Sequence, residues 1–219
     1  VSIGANRSID LTEQSGDMQF QNVYVASRAA NNAITYESFS VLNPSLFSVG
    51  RYNISGQDFD SPTKLTLKDS SISNAQLTGV VDGSELILDN TTIDTEGFRL
   101  DGTLSGNGTV SGALGASDAF FITATGSVLS PGNSIGTLSF NGDLSLQGAT
   151  SLASELDPTA SQNADLLDVS GDMTGADNLT ATLEKDSGYS GSGATEISDF
   201  INSTFVIARA GSIDSDSVT

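Results

Sequence analysis

Apolar and polar residues alternate in short runs along this chain, the period of a half-buried β-strand. Leu65 and Leu67 sit between Lys64, Thr66 and Lys68, and Leu86 and Leu88 repeat the pair between Glu85, Ile87 and Asp89. The likeness extends further. The run from Lys64 to Ile72 aligns without gaps on that from Glu85 to Ile93, and at the same offset Leu77 falls on Phe98. Each copy has a leucine pair, a polar pair, two small hydroxyl residues and an isoleucine. Later runs follow the same grammar. Leu138 with Phe140, Leu144 with Leu146, Leu167 with Val169, then Leu179, Ala181 and Leu183, then Phe205 and Ile207 are predicted to face inward on strands.

A fixed repeat of about 21 residues with period-2 pairs predicts an all-β chain, each repeat forming one coil of a parallel β-solenoid. Carried through 219 residues it gives about ten coils, a rod on the order of 50 Å at the spacing of stacked strands. The competing fold is an antiparallel β-sandwich. Asp82-Gly83, Asp101-Gly102, Asn107-Gly108 and Asn141-Gly142 are hairpin signals as well as coil turns. The fixed interval favours the solenoid, because hairpin sheets have no reason to repeat side-chain identities at one offset. The pattern divides into coils over 1–103, with an irregular segment near 24–44, and coils over 104–219. Within 24–44, Tyr36, Phe39, Val41 and Leu42 are read as a short helix or a loop packed on the rod. Asp186 to Ser198, carrying Gly188, Gly191 and Gly193, reads as a flexible excursion.

Composition removes whole classes of chemistry. With no His and no Cys there is no Ser-His-Asp triad, thiol nucleophile or zinc-finger site. The net charge of −19, from 8 basic and 27 acidic side chains, disfavours nucleic acid and anionic membrane surfaces as partners. Near pairs of acids are common (Asp58 with Asp60, Asp165 with Asp168, Asp214 with Asp216) and are candidate glycosidase carboxylates, but in a chain this rich in Asp such pairs arise by chance. The catalytic prediction is therefore none, with no cofactor and no metal site. Weak, diffuse calcium binding that relieves self-repulsion is the remaining reading of the acids. Arg7, Arg28 and Arg51, all near one end, are candidates for docking an acidic partner or the far end of a neighbouring copy.

From Gly126 the chain reads Gly126-Ser127-Val128-Leu129-Ser130-Pro131-Gly132-Asn133-Ser134-Ile135-Gly136-Thr137-Leu138-Ser139-Phe140-Asn141-Gly142-Asp143-Leu144. Pro131 fixes φ and Gly132 accepts positive φ, so Ser130 to Asn133 is a turn, and Gly136 allows a close backbone approach before the Leu138 strand. Ser130, Pro131, Gly132, Gly136, Leu138, Phe140, Leu144, Leu146, Leu167 and Val169 are thus structural positions. The string resembles the C-terminal part of the passenger domain of Gram-negative autotransporters, the type V secretion proteins. Leu104 to Gly112 is similar to that family's glycine-punctuated coil, and Asp165 to Asp172 to its Asp-x-Leu-x-Val-x-Gly segment. The final Phe205-Val206-Ile207-Ala208-Arg209-Ala210-Gly211 resembles the strand before the linker to the barrel.

The resemblance spans about Leu104 to Gly211. It implies a right-handed parallel β-helix, exported through its own C-terminal outer-membrane β-barrel, with the last coils serving as folding nucleus. The sequence after Gly211 lacks the alternating strands of a barrel. The expectation is accordingly a passenger fragment, a cleaved passenger or a secreted relative without a barrel. The function it implies is a non-catalytic, adhesive or structural segment at the cell surface or outside the cell, with no membrane insertion of its own. The alternatives are a fibre or matrix subunit that associates end to end and, behind that, a polysaccharide-acting β-helix enzyme.

Overall fold

The computed structural model describes residues 2–3, 22–26, 33–50, 52–54, 57–59, 62–112 and 120–214. The chain opens with β1 (Ser2–Ile3) and β2 (Asn22–Val25), followed by β3 (Ala33–Glu37), β4 (Ser40–Leu42) and β5 (Leu46–Val49). A small hairpin, β6 (Tyr52–Ile54) and β7 (Gln57–Phe59), leads into β8 (Lys64–Lys68), β9 (Ser71–Ala75) and β10 (Leu77–Val80). Next come β11 (Glu85–Thr95) with β12 (Gly97–Leu100), and β13 (Thr103–Gly112) with β14 (Phe120–Thr123). Two further triplets follow: β15 (Ser127–Pro131), β16 (Thr137–Asn141) and β17 (Asp143–Leu146), then β18 (Thr150–Leu156), β19 (Leu166–Val169) and β20 (Asp172–Thr174). The last set is β21 (Leu179–Lys185), α1 (Gly193–Ile201), β22 (Ala208–Arg209) and β23 (Ser212–Ile213).

Each strand pairs in parallel with its counterpart in the next set, giving a nine-stranded and a twelve-stranded sheet and no closed barrel among the described residues. Antiparallel pairing among those residues is confined to the β6–β7 hairpin and two isolated bridges, Gly106 with Gly132 and Leu156 with Ala164. An antiparallel sandwich has no such ladders. The architecture is all-β with mostly parallel sheets.

Side chains of like kind stack because the register puts them opposite one another. Ile34, Leu65, Leu86, Leu104, Leu129 and Leu152 form one buried column. Val41, Ile72, Ile93, Val110, Phe140 and Val169 form a second. On the other sheet, Val23, Phe47, Thr78 and Phe98 line up, with Leu144 and Met173 further along the same column. A fully buried side chain of this size is worth about 1.5–3 kcal/mol, and here each gains its burial from the strands on either side. Leu138, Leu146 and Leu167 also lie in this core.

The hydroxyl pair of the sequence repeat braces the bend between strands. Ser70 Oγ accepts from Phe39 N (3.0 Å) and donates to Lys68 O (2.7 Å), and one set on, Thr91 Oγ1 accepts from Ser70 N (3.3 Å) and donates to Leu67 O (2.8 Å). Beside them Ser38, Asp69 and Asn90 take left-handed φ of 53°, 46° and 52°, and Asn90 Nδ2 donates to Asp69 Oδ1 (2.6 Å).

Five sequence expectations change. The fixed interval holds from β8 and β9 to β11, but Leu86 faces Leu104 across a shorter loop of chain, while Leu104 faces Leu129, and Ile34 faces Leu65, across longer ones. Pairing fixes the strands and leaves the turns free to vary, and the β6–β7 hairpin is one such insertion. The 24–44 segment, expected to be irregular, carries β3 and β4, with Tyr36, Phe39 and Val41 buried and Tyr36 stacked on Phe39 at 5.2 Å. The flexible excursion expected over 186–198 is a turn leading into α1, fixed by Tyr189 against Phe200 and by Lys185 to Glu196 (3.0 Å). Phe205 and Ile207 lie before β22 rather than on a strand, and Leu183, expected inward, is 53% exposed because among the described residues no further strand lies over β21.

Candidate functional site

Between β15 and β16 the chain turns sharply. Pro131 is buried at the end of β15, and Gly132 turns with φ of 84° while its N–H donates to Gly106 O (3.0 Å). A Cβ on Gly132 would collide with Ser134 O and Asp165 Oδ1, so the side chain is excluded by space as well as by φ. Gly136 packs against Asn107, whose Oδ1 accepts from Thr137 N (2.8 Å). Ser130 lines the groove that this turn borders, and Leu138 to Phe140 then drop into the core.

Asp165 holds the turn from behind. At 2% exposure it accepts from Gly136 N through Oδ1 and from Glu155 N through Oδ2, both at 2.8 Å. Burial raises its pKa above the ordinary aspartate value, against the lowering effect of those two backbone donors. Asp186, at 3% exposure, closes the other side, accepting from Ser134 Oγ (2.9 Å) and Gly188 N (2.7 Å). Glu155 and Glu184 stand opposite each other on β18 and β21. Burial, then the charges of Asp165 and Asp186, push Glu155 above the usual glutamate value. The result is a groove of about 240 Å³ walled by three carboxylates, those of Glu155, Asp165 and Glu184, and by Ser130 and Ser134, the latter donating to Asp186.

The pairing proposed from sequence separates here. Asp168 is turned to Arg209, which donates through Nε (2.6 Å) and a terminal nitrogen (2.7 Å), and this guanidinium holds the Asp168 carboxyl below its ordinary value. Asp165 and Asp168 thus have separate partners, and no water-activating pair is built from them. Asp60, Asp216, Arg7, Arg28 and Arg51 lie outside the described residues, as do the side chain of Asp58 and hence the pairs that used it. Among the described residues no group of three or more His, Cys, Asp or Glu could hold a metal ion. Both oxygens of Asp165 and of Asp186 accept from protein donors, and these bonds tie neighbouring strand sets together across the groove.

Sequence reasoning passed over Glu155, Glu184 and Asp186. The ladder sets Leu152-Ala153-Ser154-Glu155 beside Ala181-Thr182-Leu183-Glu184, but only the glutamates are alike, so the sequence carried almost no signal for them. Set against known proteins, the chain matches no family model, no curated protein and no solved structure.

Proposed function

We propose that the chain is a non-catalytic, right-handed parallel β-helix: a stalk segment of an autotransporter-like passenger, at the surface of a Gram-negative bacterium or released from it, whose later coils nucleate folding during export. The observation that carries this reading is the set of buried columns shared by successive parallel strands, such as that of Ile34, Leu65, Leu86, Leu104, Leu129 and Leu152. They suit a molecule whose length is its product. The Ser130–Thr137 turn, which carries the family resemblance, is occupied throughout by contacts that hold adjoining strands. Its partner in a precursor would be a C-terminal outer-membrane barrel, and the segment itself would neither insert in a membrane nor bind nucleic acid. Adhesion would belong to exposed faces, with calcium acting at most by diffuse screening. Fusing the chain upstream of an outer-membrane barrel tests the export role: protease-accessible display on intact cells is expected. Equal display after deletion of 104–214 would remove the folding-nucleus assignment.

A second reading, end-to-end self-association into a fibre, draws on the terminal strand β21. Ala181 stands in the column of buried Leu152, yet both Ala181 and Leu183 are exposed. Small-angle scattering and sedimentation over a concentration series, with and without millimolar calcium, separate the two. A concentration-independent rod on the order of 50 Å supports the stalk. Growth into longer particles supports the fibre.

A further inference from the structure

We propose that the open edge of β21 is a docking surface for a second copy of this chain, which pairs with it antiparallel about a two-fold axis at Ala181 and closes a tail-to-tail dimer. Among the described residues β21 ends its sheet and pairs with β18 alone. Thr180 to Lys185 are all exposed, so the connection through α1 leaves the strand uncovered. Exposed apolar side chains gather at this end. Of the six large ones among the described residues, Leu183, Ile201, Val206 and Ile213 belong to the last strand set and its connections.

The backbone is set for another strand. Asp186 N donates to Leu156 O (2.9 Å), and along a parallel ladder the residues that bond one neighbour alternate with those that face away. Leu179, Ala181, Leu183 and Lys185 therefore turn their N–H and C=O groups to the open edge. The side chains of the first three belong to the inward face, opposite buried Thr150, Leu152 and Ser154. An arriving strand satisfies the row of amides and covers the apolar row together.

The order of residues singles out a second copy as that strand. Leu179-Thr180-Ala181-Thr182-Leu183 reads the same in both directions. Antiparallel pairing centred on Ala181 sets Leu179 opposite the partner's Leu183, Thr180 opposite the partner's Thr182, and Ala181 opposite itself. Apolar then meets apolar on the inward face, and hydroxyl meets hydroxyl on the outward one. Two residues beyond the palindrome the charges match as well. Lys185 falls opposite the partner's Asp177, an exposed acid just before β21, and the symmetry makes this pair twice. The Lys185 bond to Glu196 within its own chain (3.0 Å) leaves further ammonium hydrogens to donate. Such a contact goes beyond the stalk reading and does not depend on export. It also differs from a fibre, because a two-fold contact uses the same patch on both copies and stops at two.

Sedimentation equilibrium of the full chain, at about 0.15 M sodium chloride where the −19 charge is screened beyond about 8 Å, tests the dimer. A monomer–dimer equilibrium is expected, with small-angle scattering giving a dimer about twice the monomer's length. Ala181→Pro removes an N–H that faces the open edge and none that bonds β18, so it should leave Tm unchanged and abolish the dimer. Lys185→Glu should raise the dimer Kd on the order of tenfold, and Asp177→Lys added to it should restore the parent value. Within one chain these two positions lie at opposite ends of β21, about 20 Å or more apart, so rescue requires a contact between copies. The charge exchange decides the matter even where Ala181→Pro fails to fold. A parent chain that stays monomeric to about 0.5 mM overturns the proposal. So does growth past two copies, a dimer that persists in folded Ala181→Pro, or a charge reversal that Asp177→Lys does not rescue.

Discussion

Single positions in this molecule are governed by the stacking of identical environments, and Thr78 is the clearest exception. It is fully buried between Phe47 and Phe98, and its hydroxyl has no hydrogen-bond partner. A buried hydroxyl left unpaired costs on the order of 1–3 kcal/mol. Thr78→Val, which keeps the shape and removes the oxygen, should therefore raise stability by about 1 kcal/mol in urea unfolding; a loss of stability would show that the hydroxyl has a partner in solution. Gly136 makes the opposite case. Ala there must displace the Asn107 side chain that receives Thr137 N, at a cost on the order of 2 kcal/mol, seen as a lower Tm. An unchanged Tm would mean that Asn107 swings aside freely. Such constraints differ in how far they can be read from the chain alone. The repeated hydroxyls Ser70 and Thr91 announced themselves by recurring at one offset. Thr78 was silent, since a Thr on a strand is ordinary until its neighbours in the column are known.

Elements carry the pH behaviour, and the link between β19 and β22 is the clearest case. Arg209 ties β22 to β19 through Asp168, whose pKa it lowers. That contribution is present above the unfolded aspartate value of about 3.9 and is lost as pH falls through the folded one. In Arg209→Ala the Asp168 carboxyl, followed by NMR titration, should return to the ordinary range; an unmoved midpoint would locate the lowering elsewhere. Strands were legible where alternation was clean, as in Leu144 with Leu146 or Leu167 with Val169, both pairs buried. Helix α1 was hidden by its flanking glycines and by its short length, and it owes its place to Tyr189, Phe200 and Phe205 rather than to propensity. The interval failed as a ruler because hydrogen-bonded ladders constrain only the strands, leaving the hairpin and α1 free to lengthen the path between them.

At the scale of the whole molecule, charge and topology act together. A chain of net charge −19 repels itself. Raising sodium chloride from about 20 mM to about 0.5 M should raise Tm, because the Debye length falls below the distances between exposed acids. A flat response would mean that local pairs such as Lys64 with Glu85, at 2.8 Å, already neutralise what matters. The parallel ladders have one more consequence. Counterpart strands always belong to successive sets, and even the longest excursion between partners, through α1 from β19 to β22, is a local one, so no part of the sheet waits for a distant piece of sequence. Such a chain grows like a crystal on a step: each finished edge is the template for the next arrival, and a segment delivered slowly from one end is organised as fast as it comes.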